Sequence, residues 1–160
     1  MRRRAVLFTA LAGAATAQDG FPATTTGGLR LHGIAARRYL GFRVYEAALY
    51  LARPAAALAE VSDPALIWVR YLRRIGLDDV RRAWVASLGE GMDREFDTWL
   101  RALAPGDEER YGFQDRSCRL EGPGRPARLL APGPFTTMLR SSWLGPEAPA
   151  ALIRGWFPPA

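Results

Sequence analysis

Hydrophobic and polar positions switch between two periods along this chain. Leu29 and Leu31 alternate with Arg30 and His32, the period-two pattern of a strand, and Gly33 is expected to end it. A turn carrying Arg37 and Arg38 should follow. From Phe42 to Leu51 one face presents Phe42, Val44, Glu46, Ala48 and Tyr50, and the other Arg43, Tyr45, Ala47, Leu49 and Leu51. A strand apolar on both faces belongs inside a layered structure. Glu46 is the exception, to be explained by a bulge or by pairing with a nearby arginine. Residues 54–60 are alanine-rich and read as a short helix, and residues 66–72 form a second β-prone run.

The period then lengthens. Leu77, Val80, Trp84 and Leu88 keep helical spacing, with Asp78 and Asp79 favourable in the first turn, which predicts a helix within residues 76–91. Asp93 is placed to cap another, with Phe96, Trp99, Leu100 and Leu103 inward. Pro105-Gly106 ends that segment. Tyr111, Phe113, Cys118 and Leu120 suggest short strands, and Gly122-Pro123-Gly124 a turn before a returning strand over residues 127–130. Gly133-Pro134 opens a helix with a Phe135, Met138, Leu139 and Trp143 stripe, and a last helix holds Leu152, Ile153 and Trp156. This order of strands, helix pair, strands and helices predicts an α+β domain, its antiparallel or mixed sheet covered by helices. No regular βαβ alternation appears, and no GxGxxG or GxxxxGK[ST] loop, so no nucleotide cofactor is expected.

The N-terminus stands apart. Arg2, Arg3 and Arg4 precede an apolar stretch from Ala5 to Ala15, shorter than the roughly 20 residues that span a bilayer. Ala15-Thr16-Ala17 fits a small-x-small cleavage site. Residues 1–17 therefore read as a Sec-type signal peptide cleaved after Ala17, with a periplasmic or secreted product and no stable membrane span afterwards. Residues 18–27 read as a flexible lead-in, and residues 28–160 as one domain. The formal charge of +6 includes the three leader arginines. The remaining excess is small, so nucleic acid is not an expected partner, although Arg70, Arg73, Arg74, Arg81 and Arg82 offer basic groups. Cys118 is the one cysteine and His32 the one histidine. Neither a zinc pattern nor a disulfide can be assembled from them, and Cys118 is expected to be buried.

Two segments carry a likeness. Gly33-Ile34-Ala35-Ala36-Arg37 followed by FRVYEAALYL from Phe42 resembles the G-x-G-x-R … F-x-V-Y-x-A-A-L-Y-L signature of the chalcone isomerase-like family. FTTMLRSSWLG, from Phe135 to Gly145, is similar to that family's F-x-x-x-L-x-x-x-W-L-G element, and residues 69–91 fall where the family has a strand and a helix. The likeness covers most of the chain and extends to the family's exported bacterial branch. It implies an open-faced β-sandwich, a large antiparallel sheet with helices layered on one face and a pocket between them. Plant enzymes of the superfamily close a flavonoid ring by intramolecular conjugate addition, whereas related members bind fatty acids without catalysis. In both, an arginine after the glycine-rich turn faces the pocket, and that position falls on Arg37. The enzymes' strand threonine falls on Tyr45, where fatty-acid-binding relatives have tyrosine. The enzymes' asparagine has no counterpart, for the chain contains no Asn.

Arg37 can face a bound anion, pair with Glu46 or meet water; a guanidinium suits a carboxylate in the first case. The expected function is an exported, non-catalytic protein that binds a small amphipathic acid such as a fatty acid near Arg37 and Tyr45. Val44, Ala48, Leu49, Leu51, Trp84, Trp99, Met138 and Trp143 would form its apolar pocket or fill a solid core. The alternatives are a chalcone isomerase-type intramolecular lyase and a structural or partner-binding protein of the cell envelope. Neither metal nor cofactor is expected.

Overall fold

The computed structural model describes residues 20–160, so the signal peptide assigned to residues 1–17 lies outside the described residues. Six antiparallel strands run in sequence order across one sheet. They are β1 (Arg30–Tyr39), β2 (Phe42–Leu51), β3 (Ala65–Tyr71), β4 (Glu108–Gln114), β5 (Ser117–Gly122) and β6 (Arg125–Leu130). Helices α1 (Leu77–Leu88) and α2 (Arg94–Trp99) connect β3 to β4, and α3 (Pro134–Leu144) and α4 (Ala150–Trp156) follow β6. All four lie against one face, giving the expected α+β architecture of an open-faced sandwich.

Local chemistry accounts for the element ends. The Asp93 carboxylate accepts from the Glu95 and Phe96 amides at 2.7 and 3.2 Å and caps α2. Pro134 stands at the start of α3, where its missing N–H is harmless. Gly89 takes a left-handed φ of +74° to end α1.

Several expectations are corrected. Strand β1 does not stop at Gly33; it continues to Tyr39, and Arg37 and Arg38 lie on it. The turn is Leu40-Gly41, both with positive φ. Gly33 serves close approach, because a Cβ there would meet the Trp156 backbone at 3.2 Å. Gly155 mirrors it: its Cβ would come within 2.9 Å of the Ala35 Cα. The small residues of the Gly33–Ala35 segment thus let α4 lie directly on the sheet. The helix expected over residues 54–60 is only a 3-10 turn, Leu58–Glu60. Leu100 and Leu103 are buried but beyond α2, Leu103 being bridged to Ile75. Met138 is 39% exposed, while Thr136 and Ser142 take inward positions. Their hydroxyls donate to the Ala131 and Leu139 carbonyls, both at 2.7 Å, which makes their burial tolerable.

The strand apolar on both faces is explained by two covers. Toward the helices, Ala47, Leu49 and Leu51 join the main core. On the other side, Ala48 and Tyr50 form a smaller cluster with Phe21. Phe21 comes from the lead-in, which is therefore not loose over its described part. Its ring meets Trp68 edge-on at 5.9 Å, and the Tyr50 hydroxyl donates to the Pro22 carbonyl at 2.8 Å. Cys118 is buried in β5, where desolvation pushes its thiol up to about 12. His32 rests on the Phe157 ring at 4.8 Å, and burial lowers its pKa.

Candidate functional site

Arg37 and Tyr45 are directly paired residues of β1 and β2, in the register that also pairs Ala35 with Ala47. Ala35 and Ala47 face the helices, so Arg37 and Tyr45 share that face near the β1–β2 hairpin end. Sequence spacing alone does not reveal this, because Arg37 appears there to lie in a turn. Arg37 is exposed, and among the described residues no carboxylate pairs with it. Glu46 points to the opposite face and binds Arg43 at 2.6 Å, which rules out the Arg37–Glu46 pair and explains the buried acid. The β1–β2 ladder is irregular at two places, where His32 of β1 and Val44 of β2 are each left without a partner, while Glu46 itself is paired with Ala36.

The Tyr45 ring packs on Tyr71 at 5.8 Å and Trp143 at 6.3 Å. Burial raises its phenol to about 12, although the Arg37 charge pulls it back. The hydroxyl is therefore protonated at neutral pH, and it makes no hydrogen bond to another described residue. A guanidinium and an O–H donor thus stand on neighbouring strands on the helix-facing side of the sheet. That pair can hold a carboxylate or phenolate.

Behind Tyr45 lies a polar cluster that the sequence did not disclose. The Tyr71 and Tyr111 hydroxyls donate to the same Glu109 oxygen at 2.7 and 3.1 Å. The other oxygen meets Arg125, whose guanidinium also donates to the Trp99 carbonyl and stacks on the Trp99 ring at 3.7 Å. Both side chains of the ion pair are nearly inaccessible, at 3% for Arg125 and 2% for Glu109. Burial pushes the Glu109 carboxyl up, and the Tyr71 bond and Arg125 charge draw it back. In the sequence, Glu108-Glu109-Arg110 opens a stretch of weak periodicity. The available signal was period two: Glu109 shares a face with Tyr111 and Phe113.

The aromatic side chains expected around a pocket pack on one another. Trp84, Trp99 and Trp143 meet the Tyr111 ring at 5.9, 5.9 and 5.2 Å. Val44 and Ala48 belong to the other face of β2, with Glu46 and Tyr50. On that open face the lead-in and β3–β5 border a groove of about 680 Å³, with Thr25, Trp68, Arg110 and Arg119 among its lining residues. The basic side chains considered for nucleic acid are largely engaged: Arg70 with Glu108, Arg81 with Asp97 and Arg82 with Asp79.

No sequence profile of a protein family matches the chain, and no curated protein resembles it significantly in sequence. The fold has a clear counterpart among solved structures. The crystal structure of the Arabidopsis thaliana fatty-acid binding protein AtFAP1 superposes with a TM-score of 0.63. The alignment covers 86% of this chain and 90% of that one at 14% sequence identity. The two share the open-faced, helix-layered fold.

Proposed function

We propose that the protein is an exported, non-catalytic binder of a small amphipathic acid, a fatty acid foremost, with the carboxylate held by Arg37 and Tyr45. The observation that carries this reading is the side-by-side placement, on the helix-facing side of the sheet, of a guanidinium and a protonated phenol that have no polar partner among the described residues. A carboxylate accepts from both, and the Tyr45 ring rests on Tyr71 and Trp143, buried aromatic surface that an apolar tail reaches by parting these rings. The shared fold with a fatty-acid binding protein supports it. The isomerase reading needs a base near neutrality, and a phenol held at about 12 is a poor one.

Native mass spectrometry of protein purified without detergent should find a co-purifying acid. Arg37→Ala should weaken it on the order of tenfold to a hundredfold, the weight of a charge-assisted hydrogen bond. No bound acid, combined with no thermal stabilisation by added fatty acids, would sink the reading, and turnover of a chalcone would replace it with the enzyme. Export rests on the leader pattern in residues 1–17. The intact mass of the secreted protein should begin at Gln18; retention of the leader would refute cleavage after Ala17.

A further inference from the structure

We propose that the β1–β2 hairpin tip is a docking element that inserts into the surface of an anionic phospholipid bilayer. Six large hydrophobic side chains are exposed among the described residues, and three of them crowd this tip: Tyr39 at 68%, Leu40 at 79% and Phe42 at 57%. Singly exposed apolar residues need no explanation, but three within four positions on a projecting turn do.

The turn itself points outward from the fold. Leu40 and Gly41 have φ of +48° and +81°, the left-handed pair of a tight hairpin turn. Asparagine or aspartate before glycine suits that geometry, and a bulky leucine does not. Leu40 is strained locally and packs against almost nothing. Neither backbone conformation nor the core calls for it, so its side chain serves a contact outside the chain.

Charge defines that contact. Arg37, Arg38 and Arg43 flank the turn. Arg73 reaches it by stacking its guanidinium on the Phe42 ring at 4.3 Å, with Arg74 next in sequence. Glu46, bound to Arg43, is the acidic group of the strand here. From Gln18, where the mature chain is expected to begin, the sequence has 19 arginines and 16 Asp and Glu side chains, a net +3. Those five arginines less Glu46 give +4, more than the net charge of the whole mature chain, so the remainder carries no positive excess. A second copy of the chain would bring like charges together. A nucleic-acid backbone would engage the arginines but leave Leu40 without purpose. An anionic bilayer satisfies both: arginines on the phosphates, tyrosine and phenylalanine at headgroup level, and leucine at the acyl boundary. The docking does not depend on whether the Arg37–Tyr45 site binds an acid.

The test is co-sedimentation of the full chain with vesicles of pure phosphatidylcholine and of an equimolar mixture with phosphatidylglycerol. The same N-terminal segment is present in every variant, so differences between variants belong to the tip. The protein should bind the anionic vesicles, and more weakly at higher salt. Arg38→Glu with Arg74→Glu should lower affinity by at least about 25-fold, since each basic residue at the surface contributes roughly fivefold. Leu40→Asn with Tyr39→Ser should lower it on the order of tenfold. Leu40→Asn alone should leave the thermal midpoint unchanged or higher, because asparagine accepts the left-handed φ. Equal binding to neutral vesicles, no vesicle binding, an undiminished Leu40→Asn/Tyr39→Ser variant, or tighter binding of a single-stranded oligonucleotide than of vesicles would each overturn the proposal.

Discussion

Arg125→Leu is expected to destabilise the fold by about 3–5 kcal/mol, measured by urea unfolding followed through tryptophan fluorescence. The loss is not that of a favourable bond alone. Removing the guanidinium leaves Glu109 charged in a site where its side chain is 2% exposed, with only two phenols to stabilise it. A second variant separates the two causes. Glu109→Gln together with Arg125→Leu removes the stranded charge and should recover most of the loss, because a buried ion pair contributes little net stability over neutral replacements. The single variant should also acquire a marked pH dependence. Glu109 already has a folded-state pKa above its ordinary 4.5, and loss of Arg125 raises it further. The folded state then holds a proton that the unfolded state has released. Stability should therefore fall as pH rises from about 4.5 through the raised folded value, and return as pH drops toward 4. A variant equally destabilised at both ends of that window would mean that Glu109 is not left charged.

Trp156→Ala should cost a similar amount, about 3–5 kcal/mol, by a different route. Trp156 is 1% exposed, and its indole N–H donates to the Ala47 carbonyl at 2.9 Å in the interior. Its backbone lies against Gly33, and neighbouring Gly155 against Ala35. Truncation empties a large core volume and leaves the Ala47 carbonyl without that donor. It also loosens α4 from β1, the edge strand that carries Arg37. Hydrogen exchange should accordingly quicken in β1 before it does in β4 and β5. Uniform protection, with a loss below about 1 kcal/mol, would show that α4 does not hold the edge.

Legibility varied with the range of the interactions. Strand β2 was legible in full because its alternation is local and both its faces are apolar. The α1 stripe and the Asp93 cap were legible for the same reason: each depends on residues within a turn or two. Gly33 misled, since a glycine read locally means a strand end, whereas here it makes room for Trp156, which is distant in sequence. The Asp115-Arg116 turn between β4 and β5 escaped notice, because two non-glycine residues adopt positive φ there without a sequence marker. At the candidate site, Arg37 and Tyr45 could be named from the motif, but their shared face could not. It depends on β1 running past Gly33 and on the register that pairs them.

By itself, the sequence determined the α+β class, the strand and helix order, the N-terminal leader pattern and the identity of Arg37 and Tyr45. Period and turn chemistry are properties of neighbouring residues, and a chain displays them without folding. The tertiary structure decided that Glu46 binds Arg43 rather than Arg37, that Glu109 and Arg125 meet in the interior, and that Phe21 closes the second face of β2. It also gathered the net charge of the domain around one exposed hairpin tip. Each of these joins groups from strands or loops whose meeting is set by sheet register and helix docking, and register follows from burial across the whole layer rather than from any single segment.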